Sequence, residues 1–178
     1  MYKKIAITNR HLCKDLIEQI KKLHNSDYDY IVLREKDLTE SEYIELAKKA
    51  IEISDKIILH TYISACEKLK YYKIHLPYKL FVDNVDKLTD YTIKGVSTHS
   101  VDEALNVEKL GGTYVTASHI FVTKCKEGLE PKGVDWLNNV CNSVNIPVYA
   151  LGGINSGNAK LCIDAGAKGV CMMSEANK

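Results

Sequence analysis

The sequence predicts a single-domain α/β protein, a (β/α)8 TIM barrel with a short or missing last helix. Three observations carry that expectation. Short apolar runs alternate with segments of helical period about eight times along the chain. Such alternation argues for a parallel sheet with helical crossovers, and a count of eight favours a closed barrel over an open, flavodoxin-like sheet, which needs only about five strands. The chain has 178 residues, 46% of them hydrophobic, enough for one core and one domain spanning 1–178. That is short for this barrel, which typically takes about 250 residues and at least roughly 200.

The elements follow in order. Lys4–Thr8 reads as the first strand, and 11–24 as a helix with Leu12, Leu16, Ile20 and Leu23 on one face. Tyr30–Arg34 is the second strand. Thr39, with Glu42 three residues on, forms a capping box that starts a helix over 40–53. A strand at 56–60 precedes a short helix at 63–70, and a strand at 73–76 precedes a weak helix at 84–90. Strand 93–97 leads to helix 101–110, and strand 112–118 to a loop carrying Lys124–Lys132. Helix 134–144, strand 148–151, helix 157–165 and strand 169–173 complete the series. Only Ser174–Lys178 remain, too few for a covering helix. Either an apolar flank is left beside the first and last strands, or something else covers it, and a subunit contact, making a homo-oligomer, is one candidate.

Composition narrows the function classes. The formal net charge is +1 with Lys and Glu interleaved, so no general nucleic-acid or membrane surface is marked and any anion must be bound at a local site. Six cysteines occur, none in a C-x-x-C pair, and the expectation is reduced thiols in a cytoplasmic protein. No run of about 18 apolar residues suggests a membrane span, and the N-terminus has no long apolar leader.

Functional residues of such a barrel sit at the C-terminal ends of its strands. The second strand ends Leu33-Arg34-Glu35-Lys36, where Arg34 and Lys36, two apart, can both face the mouth and meet an anion. Charged strand ends are equally common on solvated surfaces. The seventh strand ends Leu151-Gly152-Gly153-Ile154, and the eighth at Ser174. Paired glycines let backbone N–H groups approach an oxyanion, and these two strand ends are where such barrels hold phosphate. Gly-Gly alone also reads as a tight turn. His60, His75, His99 and His119 fall at strand ends, and each can shuttle a proton near neutral pH or serve as a bonded structural group, the reading preferred for His75. No H-x-H or H-x3-H pair occurs and acidic companions are scarce, so no metal site is expected. Lys126, in the loop after the sixth strand, can clamp an anion or stand as a surface lysine.

Taken in order, Ile5-Ala6-Ile7-Thr8, Leu33-Arg34-Glu35-Lys36, His75-Leu76, Gly95-Val96-Ser97-Thr98-His99-Ser100, Ile120-Phe121-Val122-Thr123-Lys124-Cys125-Lys126, Gly152-Gly153-Ile154 and Met172-Met173-Ser174 resemble the thiamine phosphate synthase/TenI superfamily over nearly the whole chain. The resemblance implies one of two chemistries. The synthase joins a thiazole phosphate to a pyrimidine pyrophosphate with a metal, and it resembles this chain at Arg34, Lys36, Ser97 and Lys126. However, its Asn-Asp pair at the third strand falls on His60-Thr61, and its Asp after the fourth falls on Leu80, with Asp83 close by. The TenI branch, a thiazole tautomerase, needs neither metal nor cofactor. Its histidine before the Thr-x-Cys-Lys-x-Gly-Leu motif matches His119, ahead of Thr123–Leu129. The resemblance therefore implies a phosphorylated thiazole as ligand and His119 as the proton shuttle. Gly152, Gly153 and Ser174 would be at the phosphate, and Arg34 or Lys36 at a carboxylate. A non-catalytic binding or regulatory protein that kept the phosphate cup would read the same.

Overall fold

The computed structural model describes residues 2–124 and 127–177. Eight parallel strands close on themselves in sequence order. They are β1 (Lys3–Ile7), β2 (Tyr30–Leu33), β3 (Ile57–His60), β4 (Lys73–Pro77), β5 (Ile93–Thr98), β6 (Tyr114–Ser118), β7 (Val148–Leu151) and β8 (Gly169–Met172). Closure pairs Lys3 with Gly169 and Ala6 with Met172. A Cβ on Gly169 would overlap the Lys3 carbonyl oxygen, so this seam needs glycine.

Each strand splits its residues between two cores, because successive side chains face opposite ways. Ala6, Ile31, Leu33, Ile57, Leu59, Val115 and Val170 pack outward under the helices. Ile5, Ile7, Val32, Ile58, Tyr114, Tyr149 and Cys171 fill the barrel interior. The outer layer is α1 (Leu16–His24), α2 (Glu40–Ile53), α3 (Ile63–Leu69), α4 (Tyr78–Asp83), α5 (Val101–Lys109), α6 (Gly133–Ser143) and α7 (Ala159–Asp164). The Thr39–Glu42 capping box expected for α2 is present in both directions.

Two expected helices differ. The segment 11–24 is not continuous: a 3-10 turn at Arg10–Leu12, capped by Asn9, is separated from α1, which Asp15 caps by accepting from the Glu18 N–H at 3.0 Å. Two caps six residues apart, Asn9 and Asp15, stop one helix from running through. The weak helix expected at 84–90 is instead α4, starting directly after Pro77, followed by a 3-10 turn at Val85–Leu88.

No helix follows β8 among the described residues. A turn over 174–177 stands there instead, and it is tied down. Gln19 on α1 donates to the Ala176 carbonyl at 2.6 Å, and the Asn177 amide donates to Ile7 at 2.8 Å and Met173 at 2.6 Å. Ala176 and Asn177 are buried as a result. The 174–177 turn is thus fastened over the β1–β8 seam. No described helix is long and apolar enough to cross a membrane.

Candidate functional site

The strand C-termini surround a cavity of about 480 Å3. A side pocket of about 230 Å3 adjoins it, lined by Glu35, Lys36, His60, Thr61, Tyr62 and Pro77, and His60 belongs to both walls.

Arg34 reaches the main cavity from the end of β2, on the same side as the inward-facing Val32. Its backbone N–H donates to the Thr8 hydroxyl at 3.0 Å, which in turn donates to the buried Glu35 carboxylate at 2.7 Å. Glu35 also accepts from the Arg10 N–H, while the Arg10 guanidinium forks onto Asp37 at 2.7 and 2.8 Å. This network locks the loops after β1 and β2 together and fixes where Arg34 emerges. Lys36 departs from the expectation. Beyond Leu33 the chain leaves the strand, so two-residue alternation no longer holds, and Lys36 lines the side pocket rather than the main cavity.

His119 is buried in the cavity wall directly after β6. Its position is set by backbone hydrogen bonds on both sides. Ile120 N–H donates to Leu151 and Phe121 N–H to Gly152, each at 3.0 Å, while Lys132 N–H donates to the His119 carbonyl at 2.9 Å. The ring Nε2 lies 3.3 Å from the Leu129 carbonyl oxygen. The two glycines after β7 complete this packing. Gly152 has φ +103° and a Cβ there would overlap His119; Gly153 has φ +66° and a Cβ would overlap the Val122 carbonyl oxygen. Their bareness therefore serves close approach to the His119 loop as well as a tight turn. Gly152, Gly153, Ile154 and Ser174 all line the cavity. Among the described residues, the backbone N–H groups of Gly153, Ile154 and Ser174 meet no acceptor, leaving a cluster of donors suited to an oxyanion.

The cavity floor is polar but uncharged. His75 Nδ1 lies 2.8 Å from the Tyr114 hydroxyl and Nε2 lies 2.8 Å from the Ser97 hydroxyl. Burial pushes His75 down to about 3, so it is neutral. Its ring stacks on His60 at 5.7 Å. His60 is pushed well below its ordinary range by burial, then by His75, Arg34 and Lys36. The structural reading of His75 agrees with these bonds, although its ring also touches the cavity. Ser97 lines the cavity as expected, with its hydroxyl on His75.

His99 is not part of the site: it is exposed, outside the cavity, with Nδ1 3.2 Å from the Ser118 carbonyl oxygen. Lys126 lies outside the described residues. Lys124, two positions earlier, lines the cavity and was not singled out by sequence, since a loop lysine carries no positional signal. Glu175 was also missed; it lines the cavity and accepts from the Ser156 N–H at 3.0 Å, joining the loops after β7 and β8.

The donor set at the ends of β3 and β4 does not fit magnesium, which requires hard oxygen ligands. His60 and Thr61 occupy the first of these ends, and Asp83, the nearest acid after the second, is paired with Lys79 at 2.9 Å. Among the described residues, no group of three or more His, Cys, Asp or Glu side chains is arranged to hold a metal ion.

Comparison with known proteins gives a consistent result. The sequence profile of one family, described as thiamine monophosphate synthase, matches residues 5–176. A putative thiamine-phosphate synthase 2 of Aquifex aeolicus is 33% identical over 175 residues, covering 95% of this chain and 94% of that one. A thiamine-phosphate synthase of Clostridium acetobutylicum is 30% identical, covering 97% and 86%. The solved structure of a thiamine phosphate pyrophosphorylase from Pyrococcus furiosus superposes with a TM-score of 0.82 at 24% identity, covering 97% of this chain and 86% of that one, a likeness of fold.

Proposed function

The chain belongs to the thiamine monophosphate synthase family, and from that premise we propose that it is a thiamine-biosynthetic enzyme that holds a phosphorylated thiazole in its mouth and shifts a proton on it, a thiazole tautomerase of the TenI type. The observation that carries this reading is His119, a buried imidazole in the cavity wall beside the open donors of Gly153, Ile154 and Ser174.

The substrate's phosphate sits on those backbone donors, and Arg34 faces its carboxylate. His119 removes a proton from the ring and returns one elsewhere on the conjugated system. Nothing is oxidised or reduced and no group leaves; aromaticity drives the shift. An imidazole suits both halves of the transfer near neutral pH. The reaction calls for no metal, which accords with a β3 end carrying His60-Thr61 where the synthase has an Asn-Asp pair.

A second reading is favoured by the relatives themselves. The curated relatives above are named as thiamine-phosphate synthases, transferases, and these names support the condensation of thiazole phosphate with pyrimidine pyrophosphate more than they support an isomerase. One pair of assays separates the two. In a proton-NMR time course with the dihydrothiazole carboxylate phosphate and no metal, the aromatic tautomer is expected to form, and not to form with His119→Ala, which still binds the phosphate. Absence of acceleration over buffer, together with magnesium-dependent formation of thiamine phosphate from the two synthase substrates, would replace this reading by the second. Binding without either turnover would make the chain a non-catalytic binder.

A further inference from the structure

The loops after β7 and β8 hold a charge that the proton shuttle does not use. Beyond Ile154 the backbone donors of the β7 loop are already taken. Asn155 N–H donates to the Asn158 side chain and Gly157 N–H to the Asn155 side chain, each at 2.9 Å, and Ser156 N–H donates to Glu175 Oε2 at 3.0 Å. Glu175 therefore stands beside the open donors on both loops. It follows Ser174 directly in the chain, and it is bonded two residues beyond Ile154. Its side chain is half-buried and lines the main cavity together with Gly153, Ile154 and Ser174. The backbone that carries it is held in place, since Gln19 bonds the Ala176 carbonyl and the Asn177 amide bonds Ile7 and Met173. Toward the β1–β8 seam, Lys4 is paired with Asp27, and Tyr28 is neutral because burial pushes its phenol up to about 12. Across the cavity stand Arg34, Lys124 and His119.

A cup of N–H donors accepts any oxyanion. A carboxylate on its rim does not, because it offers acceptors only, about four lone-pair sites, and Ser156 N–H occupies one of them. An anion that still carries a proton can donate it to such a group in a charge-assisted hydrogen bond. A fully ionised oxyanion meets only like charge. We infer that Glu175 is a specificity-determining residue of the cup, selecting a phosphate that keeps one proton over a fully ionised oxyanion. The proton stays on the phosphate, and no covalent bond is made or broken. The inference rests on the reading of these loops as a phosphate site and deepens it by naming the group that senses the proton on the bound anion.

The test is calorimetric binding of inorganic phosphate and of sulfate, each alone, to the full chain at about pH 6, where phosphate keeps a proton and sulfate has none. The wild type is expected to prefer phosphate by about tenfold or more, the size of one hydrogen bond to a charged group. Glu175→Gln removes the charge, keeps an acceptor for Ser156 N–H and gains an amide that can donate to sulfate. It is expected to bring the preference close to one, mainly through tighter sulfate binding. Glu175→Ala, which also releases Ser156 N–H, should lose the preference as well. Raising the pH to about 8 should weaken phosphate binding to the wild type by about fivefold or more, and to Glu175→Gln by clearly less. Sulfate measured at both pH values accounts for titration of the protein itself, His119 included. Equal binding of the two anions by the wild type, binding of neither, or a preference lost in Glu175→Ala but kept in Glu175→Gln overturns the inference. Selectivity that Glu175→Gln abolishes, in a protein that turns over neither substrate set, leaves the inference standing and removes the enzymatic reading. Tautomer formation by a protein that does not discriminate the anions does the reverse, so the two fail separately.

Discussion

Tyr43 sits on α2, fully buried, yet it holds together the strand ends that form the site. Its hydroxyl donates to the Leu33 carbonyl at 2.7 Å and accepts from the His60 N–H at 2.7 Å. Leu33 pairs with Leu59 across β2 and β3, so the hydroxyl bridges a carbonyl and an N–H that a parallel ladder would bond directly. Tyr43→Phe removes that bridge with almost no change in shape and leaves two buried backbone groups without a partner. At about 1–3 kcal/mol for each orphaned group, the expected destabilisation is roughly 2–6 kcal/mol. It falls toward the lower end if the strands close and re-form the direct bond. In a chain of this size each kcal/mol lowers the midpoint by about 2–4 °C, so a loss near 10 °C is expected. Urea unfolding with an unchanged m-value is the assay, because it separates lost stability from a change in compactness. The control is Tyr71→Phe, which loses one bond, to the Ile57 carbonyl at 2.6 Å, from a half-buried site and should cost less. Equal stability of Tyr43→Phe and wild type, within about 0.5 kcal/mol, would refute the bridging argument.

Three further outcomes follow from the geometry. His75 is neutral when folded, down to about 3, but protonates near 6.5 when unfolded, so the unfolded state binds more protons between those values. Stability should be flat above pH 6.5 and fall as pH drops below it, by up to about 1.4 kcal/mol per pH unit from this residue, with His60 acting in the same direction; equal urea midpoints at pH 7 and pH 5 would contradict it. Gly152→Ala places a Cβ against His119 at φ +103°, and should cost roughly 2–5 kcal/mol from strain and overpacking together while lowering turnover and phosphate affinity at once; wild-type kcat in this variant would count against the close contact. Gly95→Ala would overlap the Tyr114 ring inside the barrel, and is expected to destabilise by at least about 1–3 kcal/mol, read as a lower melting temperature.

The strands were legible because buried parallel strands read as short apolar runs, as in Ile57-Ile58-Leu59 and Val148-Tyr149-Ala150. The helix expected at 11–24 failed for a local reason. Leu12 continues the apolar period but is 45% exposed, and the chain is broken by Asp15, which with Glu18 gives the acid pair of an N-cap that the sequence does display. Arg34, Ser97, His119, Gly152, Gly153 and Ser174 could be placed because strand ends converge on one mouth whatever the loops do. Lys36 was misplaced because alternation ends with the strand. The turn at Thr61, where φ is +70°, was illegible for a different reason. A positive φ on threonine has no sequence signature and is imposed by its bonds to β3 and β4.

The two reactions weighed for this mouth differ at one side of it only. On the proposed reading the phosphate meets backbone donors of the loops after β7 and β8, where the glycines are fixed by contact with the loop carrying His119. A shift of the phosphate cup would therefore move the imidazole with it, which ties ligand position to proton-transfer geometry through direct packing. The opposite side, at β2 to β4, is where a metal-held pyrophosphate would need carboxylates, and there the chain has two stacked histidines, with Arg34 lining the same cavity and Lys36 lining the side pocket with His60. On the tautomerase reading, a single Asp at position 60, buried near Glu35 and short of a second hard ligand, would not support condensation, so His60→Asp is expected to form no thiamine phosphate with magnesium, and formation of that product would overturn the argument.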